Sequence, residues 1–440
     1  MTRERLYGWG RTSPSVAEVL APIASDVENE LHRAPRLLAR GLGRSYGDAA
    51  QLAGGTVLRS SEMATMSPIS SDGRVTVEAG VTIDDLIRVG VPQGWFVPVT
   101  PGTRQVSVGG AIAADVHGKN HHVEGSFGHH VLSMRLATPR GIISCSPTVE
   151  SELFWATFGG MGLTGVVLDA ELQLIAISST DVLVDTTRFN NLDAVMNEMS
   201  SGDHRYRYSV AWVDCMTTGS SMGRAILTRG DHATESRSEL APPREAKLAV
   251  PFNAPSGLLN PLTIRAFNEL WFRAAPKQRR DEAQSISSFF HPLDGVRDWN
   301  RLYGRKGFVQ YQFAVPDTAG ETVVDAIKTL STSKVPSFLA VLKRFGAGTP
   351  GPLSFPMPGW TLALDLPVGP SALPGVLDQL DELVTNAGGR VYLAKDARLD
   401  PAHFRAMYPR YQEFLAIKHR VDPDDIISSD LARRLELIRK

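Results

Sequence analysis

Short runs of alternating hydrophobic and polar residues, separated by glycine-rich turns, characterise the first third of the chain. Residues 75–79 alternate as a β-strand should, and Gly80 ends the run. Thr82 then predicts the N-cap of a helix over residues 83–87, because a hydroxyl caps free backbone N–H groups and acidic residues follow in the first turn. Residues 165–172 predict a further strand that closes this region.

The pattern changes from about Ser178, where strand-like runs are separated by helical periodicity. The predicted strands cover residues 208–213, 225–228, 308–315, 337–343 and 361–366, and residues 321–330 predict a helix. The polar, proline-containing stretch 229–261 is long for a loop in a compact domain, so we expect it to be mobile or functional. This order predicts an antiparallel sheet flanked by helices, of the α+β class.

The C-terminal tail has helical periodicity again. Phe404, Tyr408, Tyr411 and Leu415 recur at spacings of three and four, which predicts one apolar helix face. Pro423 interrupts the pattern, and residues 431–437 predict a last short helix. We expect this tail to return to the first part of the chain.

Composition bounds the protein classes to be considered. A chain of 440 residues exceeds one compact core, so two domains are expected. Hydrophobic residues make up 42% and charged residues 21%, as in ordinary globular proteins, and the net charge of −1 argues against a nucleic-acid partner. Cys145 and Cys215 fit neither a metal spacing nor a disulfide framework, so we expect two buried thiols.

The N-terminal residues carry charges and lack the apolar stretch of a signal peptide. No window approaches the roughly 18 apolar residues that a membrane-spanning helix needs. We therefore expect a cytoplasmic protein, with peripheral contact to the inner membrane left open.

Three runs of small residues carry the chemical signal. Residues 39–48 place three glycines within seven positions, and such a turn directs backbone N–H groups at an anion such as a pyrophosphate. A plain tight loop explains one such run equally well, and the spacing is not the dinucleotide fingerprint G-x-G-x-x-G. Residues 101–118 and 158–165 repeat the feature. Long rows of small residues fill a core poorly but suit an extended cofactor.

These runs resemble the flavin domain of the vanillyl-alcohol-oxidase (PCMH-type) superfamily. Over nearly its full length the chain is similar to one branch, the decaprenylphosphoryl-β-D-ribose 2-oxidases of actinobacterial cell-wall synthesis. The matching segments are 40–48, 101–122, 153–165, 299–313, 338–345, 353–365 and 391–398. The resemblance implies an α+β protein with a PCMH-type FAD-binding domain, residues 1–177 completed by 390–440. It further implies a substrate domain, residues 178–389, with a mobile loop at 229–261.

The resemblance also implies which residues surround the flavin. The implied FAD-binding residues are Ala39, Arg40, Gly41, Leu42, Gly43, Arg44, Ser45, Tyr46, Gly47, Asp48, Ala49, Gly102, Ser107, Val108, Gly109, Gly110, Ala114, Asp115, Val116, His117, Tyr392 and one of Val166 or Val167. Many relatives attach the flavin through a histidine of the first loop, where this chain has Arg44. Arginine cannot form that link, so we expect FAD to be bound without a covalent bond.

Lys395, His117 and Tyr46 are the expected catalytic residues. Oxidation of an alcohol removes a hydride from carbon and a proton from oxygen, so a base or cation beside the hydroxyl is needed. Lys395 matches a family lysine near the flavin and follows an apolar run. His117 lies beside the isoalloxazine ring by resemblance, and a purely structural role explains it equally well. His121 and His122 lack acidic or cysteine partners, so no metal is assigned.

The expected substrate-binding residues lie in the second half. Gln310 and Gln312 share one face of a strand, where two amides suit a sugar. The residues alone favour a polar edge that faces solvent, and the resemblance favours the sugar site. Lys343 matches a family lysine that lines the pocket, for the substrate phosphate or the sugar hydroxyls. Tyr46 and Trp212 fit aromatic pocket walls, although core packing explains them equally well. The remaining substrate-binding assignments are Ala363 and Asp365.

Ala363 marks a departure from the family. It stands where mycobacterial members carry the cysteine that nitroaromatic inhibitors modify. Hydride transfer needs no thiol, so we expect turnover without covalent capture.

The resemblance implies oxidation of the 2-hydroxyl of a polyprenylphosphoryl-β-D-ribose to a ketone. The implied partners are an NADH-dependent short-chain reductase that completes the epimerisation and a quinone or oxygen as electron acceptor. Some family members are assigned to the periplasm, which is the alternative location. The alternative substrates are a soluble sugar, an alditol, an aldonolactone or a nucleoside intermediate. A flavin-binding scaffold without turnover is the alternative from another class.

Overall fold

The computed structural model describes residues 2–235, 240–243, 246, 248–255 and 257–439. Its first 177 residues form ten strands and five helices, as far as these residues are described. The strands are β1 (Thr2–Leu6), β2 (Ser15–Leu20), β3 (Leu37–Arg40), β4 (Thr56–Arg59), β5 (Arg74–Glu78), β6 (Trp95–Phe96), β7 (Val131–Thr138), β8 (Gly141–Cys145), β9 (Val166–Gln173) and β10 (Ile175–Ala176). The helices are α1 (Val27–Arg33), α2 (Ile83–Gly90), α3 (Val108–Ala113), α4 (His121–Glu124) and α5 (Ser151–Thr157).

Two four-stranded sheets organise this part, in the orders β1-β2-β4-β3 and β5-β9-β7-β8. The predicted strands at 75–79 and 165–172 are confirmed as β5 and β9. The predicted cap is also confirmed, because the Thr82 hydroxyl accepts from the Asp85 N–H at 3.0 Å and the Asp85 carboxylate accepts from the Thr82 N–H at 2.9 Å. This reciprocal capping box fixes the start of α2.

The second part contains one eight-stranded antiparallel sheet in the order β15-β11-β13-β12-β18-β19-β17-β20. The strands are β11 (Asp181–Phe189), β12 (Tyr208–Val213), β13 (Ala225–His232), β14 (Leu248–Ala249), β15 (Gln278–Ser285), β16 (Val296–Arg297), β17 (Phe308–Pro316), β18 (Ala340–Phe345), β19 (Gly359–Pro367) and β20 (Arg390–Val391). The helices are α6 (Leu192–Gly202), α7 (Pro261–Ala274), α8 (Ile286–Phe290), α9 (Glu321–Ser333) and α10 (Leu373–Asn386). The predicted α+β class is confirmed. The strand expected from residue 337 begins at Ala340, where pairing with β19 starts.

The stretch 229–261 is not one continuous loop where the structure describes it. Its first residues extend β13 to His232, because they keep pairing with β11. Further along, β14 pairs in parallel with β16, and α7 starts at Pro261. Residues 236–239, 244, 245, 247 and 256 lie outside the described residues, and the mobility of this stretch stays a prediction.

The tail differs from the single helix predicted over 404–415. It forms α11 (Pro401–Met407), α12 (Tyr411–Val421) and α13 (Asp430–Arg434). The break falls at Tyr408, because Pro409 disfavours a helical conformation in the residue before it. The last helix ends at Arg434 rather than at residue 437.

The tail returns to the first sheet, as predicted. Ile427 bridges Leu37 in parallel, and the Arg434 guanidinium donates to the carboxylates of Asp48 and Asp396 at 2.8 Å each. The first two residues of segment 390–440 instead extend the large sheet, because β20 pairs with β17. The tail therefore joins the two parts of the protein.

Cys145 and Cys215 are buried free thiols, as expected. Within the described ranges, no helix combines the length and apolar character needed to cross a bilayer.

Candidate active site

The first small-residue run forms a tight loop after β3 and touches two other segments. A Cβ atom on Gly41 would lie 2.0 Å from the Ser107 hydroxyl oxygen, and one on Gly47 would lie 2.0 Å from the Asp396 carbonyl oxygen. Gly43 has φ of 65°, which glycine adopts without strain. The glycines therefore allow the loop to approach both the second run and the tail.

The second run lies directly beside it. The Ser107 hydroxyl accepts from the Gly110 N–H at 3.3 Å and caps α3. A Cβ atom on Gly109 would lie 2.9 Å from the Ala79 Cβ atom, so this residue packs α3 closely on β5. A Cβ atom on Gly102 would meet nothing within 4 Å, because this residue borders open space.

That space is a cavity of about 300 Å³ between the glycine-rich loops and the large sheet. Most predicted site residues line it together: Ala39, Arg40, Gly41, Leu42, Gly43, Arg44, Ser45, Tyr46, Ala49, Gly102, Ser107, Gly109, Gly110, Ala114, Val116, His117, Val166, Gln310, Gln312, Lys343, Ala363, Tyr392 and Lys395. Residues from distant parts of the chain thus meet at one cavity. Val166 and Val167 both line the cavity. The family resemblance assigned only one of the two to the FAD-binding residues, without deciding which.

Six predicted residues do not line this cavity. Gly47 and Asp48 face the tail, and Val108 is buried in the core. Asp115 is buried and accepts from the Gly128 N–H and the Thr349 and Ser354 hydroxyls. Trp212 is half-buried on β12. Asp365 lies behind the site.

Several wall residues were not predicted. They include the aromatic residues Trp9 and Trp299, the pair Leu339 and Val341, and residues 161–162 of the third run. Val341 and Lys343 alternate on β18 and face the same side, so period-two alternation was a usable signal. Trp9 had no such signal, because only folding brings the N-terminus to this cavity.

Arg44 is held beside the cavity by an aromatic contact. The centre of its guanidinium lies 4.0 Å above the Trp9 ring centroid, within the range of a cation–π interaction. Burial lowers the pKa of Arg44, and its Nε atom is buried without a hydrogen-bond partner among the described residues. A buried unpaired donor is costly, so an anionic ligand would satisfy it.

The flavin is expected to leave the protein on acid precipitation, because Arg44 offers no nucleophile for a covalent link. The supernatant should carry the yellow absorbance and the pellet should be colourless. Flavin that stays in the pellet would contradict this prediction.

Lys395 lies at the end of the cavity above Tyr46. Its Nζ atom is 3.8 Å from the Tyr46 ring centroid. Burial lowers the pKa of Lys395 to about 7, while the Asp365 carboxylate opposes this effect and the Lys343 charge adds to it. Near neutral pH the amine is therefore present in both forms, which suits proton transfer.

Gln312 ties His117 to the large sheet. Its amide donates to the His117 Nε2 atom at 2.9 Å and to the Thr361 hydroxyl at 3.2 Å. Burial holds the pKa of His117 well below its usual range, with Lys343 and Lys395 contributing. The imidazole is therefore neutral with its proton on Nδ1, a buried atom without a partner among the described residues.

Gln310 is engaged in the same way, since its amide donates to the Asp365 carboxylate. Burial raises the pKa of Asp365 to about 6, and the Tyr303 hydroxyl donates to it at 3.3 Å. The amide nitrogens of Gln310 and Gln312 thus donate to partners within the protein. Their side-chain carbonyl oxygens are then left for a ligand. Asp365 supports the site through Gln310 and does not face the cavity.

Of two further buried lysines, Lys343 lines the cavity and Lys119 is not among its lining residues. Burial lowers the pKa of Lys343 to about 8. Lys119 has its pKa lowered to about 7 by burial and by Lys343, and its ammonium donates to the Phe289 carbonyl. The ammonium forms of the two lysines repel each other, so an anion beside Lys343 in the cavity would be stabilised.

Among the residues that the structure describes, no group of three His, Cys, Asp or Glu side chains could hold a metal ion. His121 bonds the Ser126 hydroxyl at 3.1 Å and accepts from the Gly346 N–H at 3.1 Å. His122 bonds the Tyr206 carbonyl oxygen at 2.9 Å.

The cavity fits FAD by its own features. Five loop glycines, Arg44 and His117 border one space, and the Arg44 Nε and His117 Nδ1 atoms have no hydrogen-bond partner among the described residues. Loop N–H groups and Arg44 would hold the pyrophosphate, and the end near His117 and Lys395 would hold the ring.

Comparison with known proteins agrees with this geometry. Residues 24–146 match the model of the FAD binding domain family, and residues 376–435 match that of D-arabinono-1,4-lactone oxidase. The decaprenylphosphoryl-beta-D-ribose oxidase of Mycolicibacterium smegmatis is 42% identical over 99% of this chain and 98% of its own length. An uncharacterized Streptomyces coelicolor protein is 38% identical over 81% of this chain and 100% of its own length. The L-gulono-1,4-lactone dehydrogenase of Mycobacterium tuberculosis is 23% identical over 94% of both chains.

Proposed function

We propose that this protein oxidises the 2-hydroxyl of a polyprenylphosphoryl-β-D-ribose to a ketone. The premise is that the chain belongs to the family of the decaprenylphosphoryl-β-D-ribose oxidases and is an FAD-dependent oxidoreductase. The observation that carries the proposal is the meeting of Lys395 and Tyr46 with Gln310, Gln312 and Lys343 at one end of the flavin cavity.

The residues at this end divide the chemistry between them. When bound, FAD supplies the acceptor for the hydride that leaves the C–H bond. Lys395 accepts the proton of the hydroxyl at its Nζ atom while the C=O bond forms. The Tyr46 ring holds the amine in place, and Asp365 limits the fall in the pKa of Lys395. His117, neutral and bonded to Gln312, positions the ring end of the cofactor and the sugar.

Lys343 suits the phosphate of the substrate. It lines the cavity and burial lowers its pKa, so binding an anion there restores the charged form. The carbonyl oxygens of Gln310 and Gln312 accept from sugar hydroxyls. Ala363 lies in the same wall and offers no thiol, so absence of covalent capture by nitroaromatic inhibitors stays our expectation.

An NADH-dependent short-chain reductase would consume the ketone, and a quinone or oxygen would reoxidise the flavin. A lipid-linked substrate would bring the protein to the surface of a membrane, on the cytoplasmic side or, alternatively, in the periplasm.

Oxidation of an aldonolactone is the second candidate function. The match of residues 376–435 to D-arabinono-1,4-lactone oxidase favours it, as does the similarity to a lactone dehydrogenase over nearly the whole chain. A lactone carries no phosphate, so the buried Lys343 in the cavity wall argues for the phosphorylated substrate.

Anaerobic bleaching of the flavin spectrum tests the choice directly. We expect rapid loss of the flavin bands with polyprenylphosphoryl-β-D-ribose and none with gulono-, galactono- or arabinono-lactones. Bleaching by a lactone alone would favour the second candidate, and bleaching by neither would overturn both.

The rate of substrate-dependent flavin reduction is expected to rise with pH through about 7, because Lys395 accepts a proton only as the neutral amine. Below this pH the ammonium predominates, and above it the amine does. Stopped-flow reduction at saturating substrate across a pH series measures the effect. A rate that falls over the same range would show that Lys395 acts as a cation.

A further inference from the structure

Hydrophobic side chains on helix α7 and in the residues before it are exposed to solvent. Of the fourteen large hydrophobic side chains that are exposed among the described residues, seven lie within positions 248–271. They are Leu248, Phe252, Leu258, Leu262, Phe267, Leu270 and Trp271. Leu262 is 78% exposed, Leu270 is 70% exposed and Trp271 is 51% exposed. Such a concentration marks an interaction surface, because scattered exposure is the usual condition.

The helix geometry makes this one continuous face. Leu262, Ala266 and Leu270 form one row at intervals of four, and Phe267 and Trp271 form a second row beside it, so the five together cover about half of the circumference of α7. We call them the α7 face. Ile264 and Asn268, which follow the second row around the helix, are buried against the protein. A surface helix normally buries its apolar side, and here a second apolar side is left outward.

The surroundings of the α7 face are basic. Residues 248–280 contain five basic residues and one acidic residue, a net charge of +4 in a chain whose net charge is −1. The five are exposed: Arg265, Arg273, Lys277, Arg279 and Arg280. The single acid, Glu269, is paired with Arg224 at 2.6 Å and with Arg273 at 2.5 Å. The next two residues, Asp281 and Glu282, are acidic, and Glu282 pairs with Arg279. Over residues 248–282 the net charge is therefore +2, which still complements an anionic partner.

The α7 face connects to the active site through packed rings. Phe267 contacts Phe338, with ring centroids 4.9 Å apart, and Phe338 contacts Tyr303 at 6.5 Å. Tyr303 stacks on Phe308 at 4.0 Å, and Phe308 contacts Tyr46 at 5.4 Å. The same wall thus carries Tyr46 at the site and Phe267 at the surface.

We propose that the α7 face docks on an anionic lipid bilayer, with its leucines and aromatic rings in the interface and the flanking arginines on lipid phosphates. Interfacial helices combine such a face with basic residues. The inference rests on the proposed function, because a polyprenyl-linked substrate lies in a bilayer and its sugar must reach Lys395.

Vesicle co-sedimentation of the FAD-loaded protein tests this docking. Vesicles of phosphatidylcholine with phosphatidylglycerol are compared with phosphatidylcholine alone. We expect the wild type to bind the anionic vesicles and to lose most binding at high salt. The double variant Leu270→Glu, Trp271→Glu should bind at least tenfold more weakly. Val149→Glu, an exposed valine elsewhere that is 56% exposed, is the matched control and should bind like the wild type.

Three outcomes would overturn the proposal. These are equal binding to both vesicle types, wild-type binding by the double variant, and self-association in solution that the double variant abolishes without any vesicle binding. The last would assign the α7 face to a second copy of the chain. Flavin reduction by a short-chain, water-soluble phosphoryl ribose should be unchanged in the double variant. If the wild type showed no flavin reduction with this soluble substrate, the proposed function would be refuted and the vesicle result would still stand.

Discussion

Replacing Lys395 with methionine is expected to slow substrate-dependent flavin reduction by about 10²- to 10⁴-fold, the usual contribution of a positioned base. Methionine keeps much of the length and apolar volume of the side chain but cannot accept a proton. Its sulfur can still rest on the Tyr46 ring, so the fold and FAD content should be unchanged. Anaerobic stopped-flow reduction measures the loss.

Two further variants define the role of Lys395. Lys328→Met changes an exposed lysine of α9 and should reduce flavin at the wild-type rate. Lys395→Arg keeps a cation that does not lose its proton near neutral pH. Recovery of activity by the arginine variant would show that charge alone is needed, against the assignment of Lys395 as the base.

Replacing Gly102 with leucine is expected to weaken FAD binding by about 100-fold, because overlap with a bound group costs about 3 kcal/mol. A Cβ atom at Gly102 meets no protein atom within 4 Å, and the residue borders the cavity. The protein should therefore fold normally and lose its cofactor. Flavin titration followed by fluorescence, together with a thermal melt without FAD, separates the two effects.

Gly375→Leu is the matched control, since a Cβ atom there also meets nothing within 4 Å but the residue lies on the outside of α10. It should bind FAD like the wild type. A Gly102→Leu protein that retains full flavin occupancy would place the cofactor elsewhere and would remove the basis of the site.

Local patterns predicted most elements, because period-two alternation and helix caps act over a few residues. The strand at 75–79 and the Thr82 cap are examples, and the helix predicted over 404–415 failed on a local signal, Pro409. The loop glycines were likewise recognisable, since their freedom of φ is a property of the residue. These runs together indicated an extended cofactor, and the resemblance to a flavin family implied that it is FAD.

The contacts that give the site residues their properties lie far apart in the chain. His117 meets Gln312 across 195 positions, and Lys395 lies over Tyr46 from the other end of the protein. These contacts remove the amines from water and lower their pKa values, an effect that depends on burial and not on residue type. The local conformations follow from interactions between residues that are close in the sequence, so the sequence alone determined them. The protonation of Lys395, the engagement of both glutamines and the outward face of α7 follow from packing between distant segments, because desolvation and exposure exist only once those segments have met.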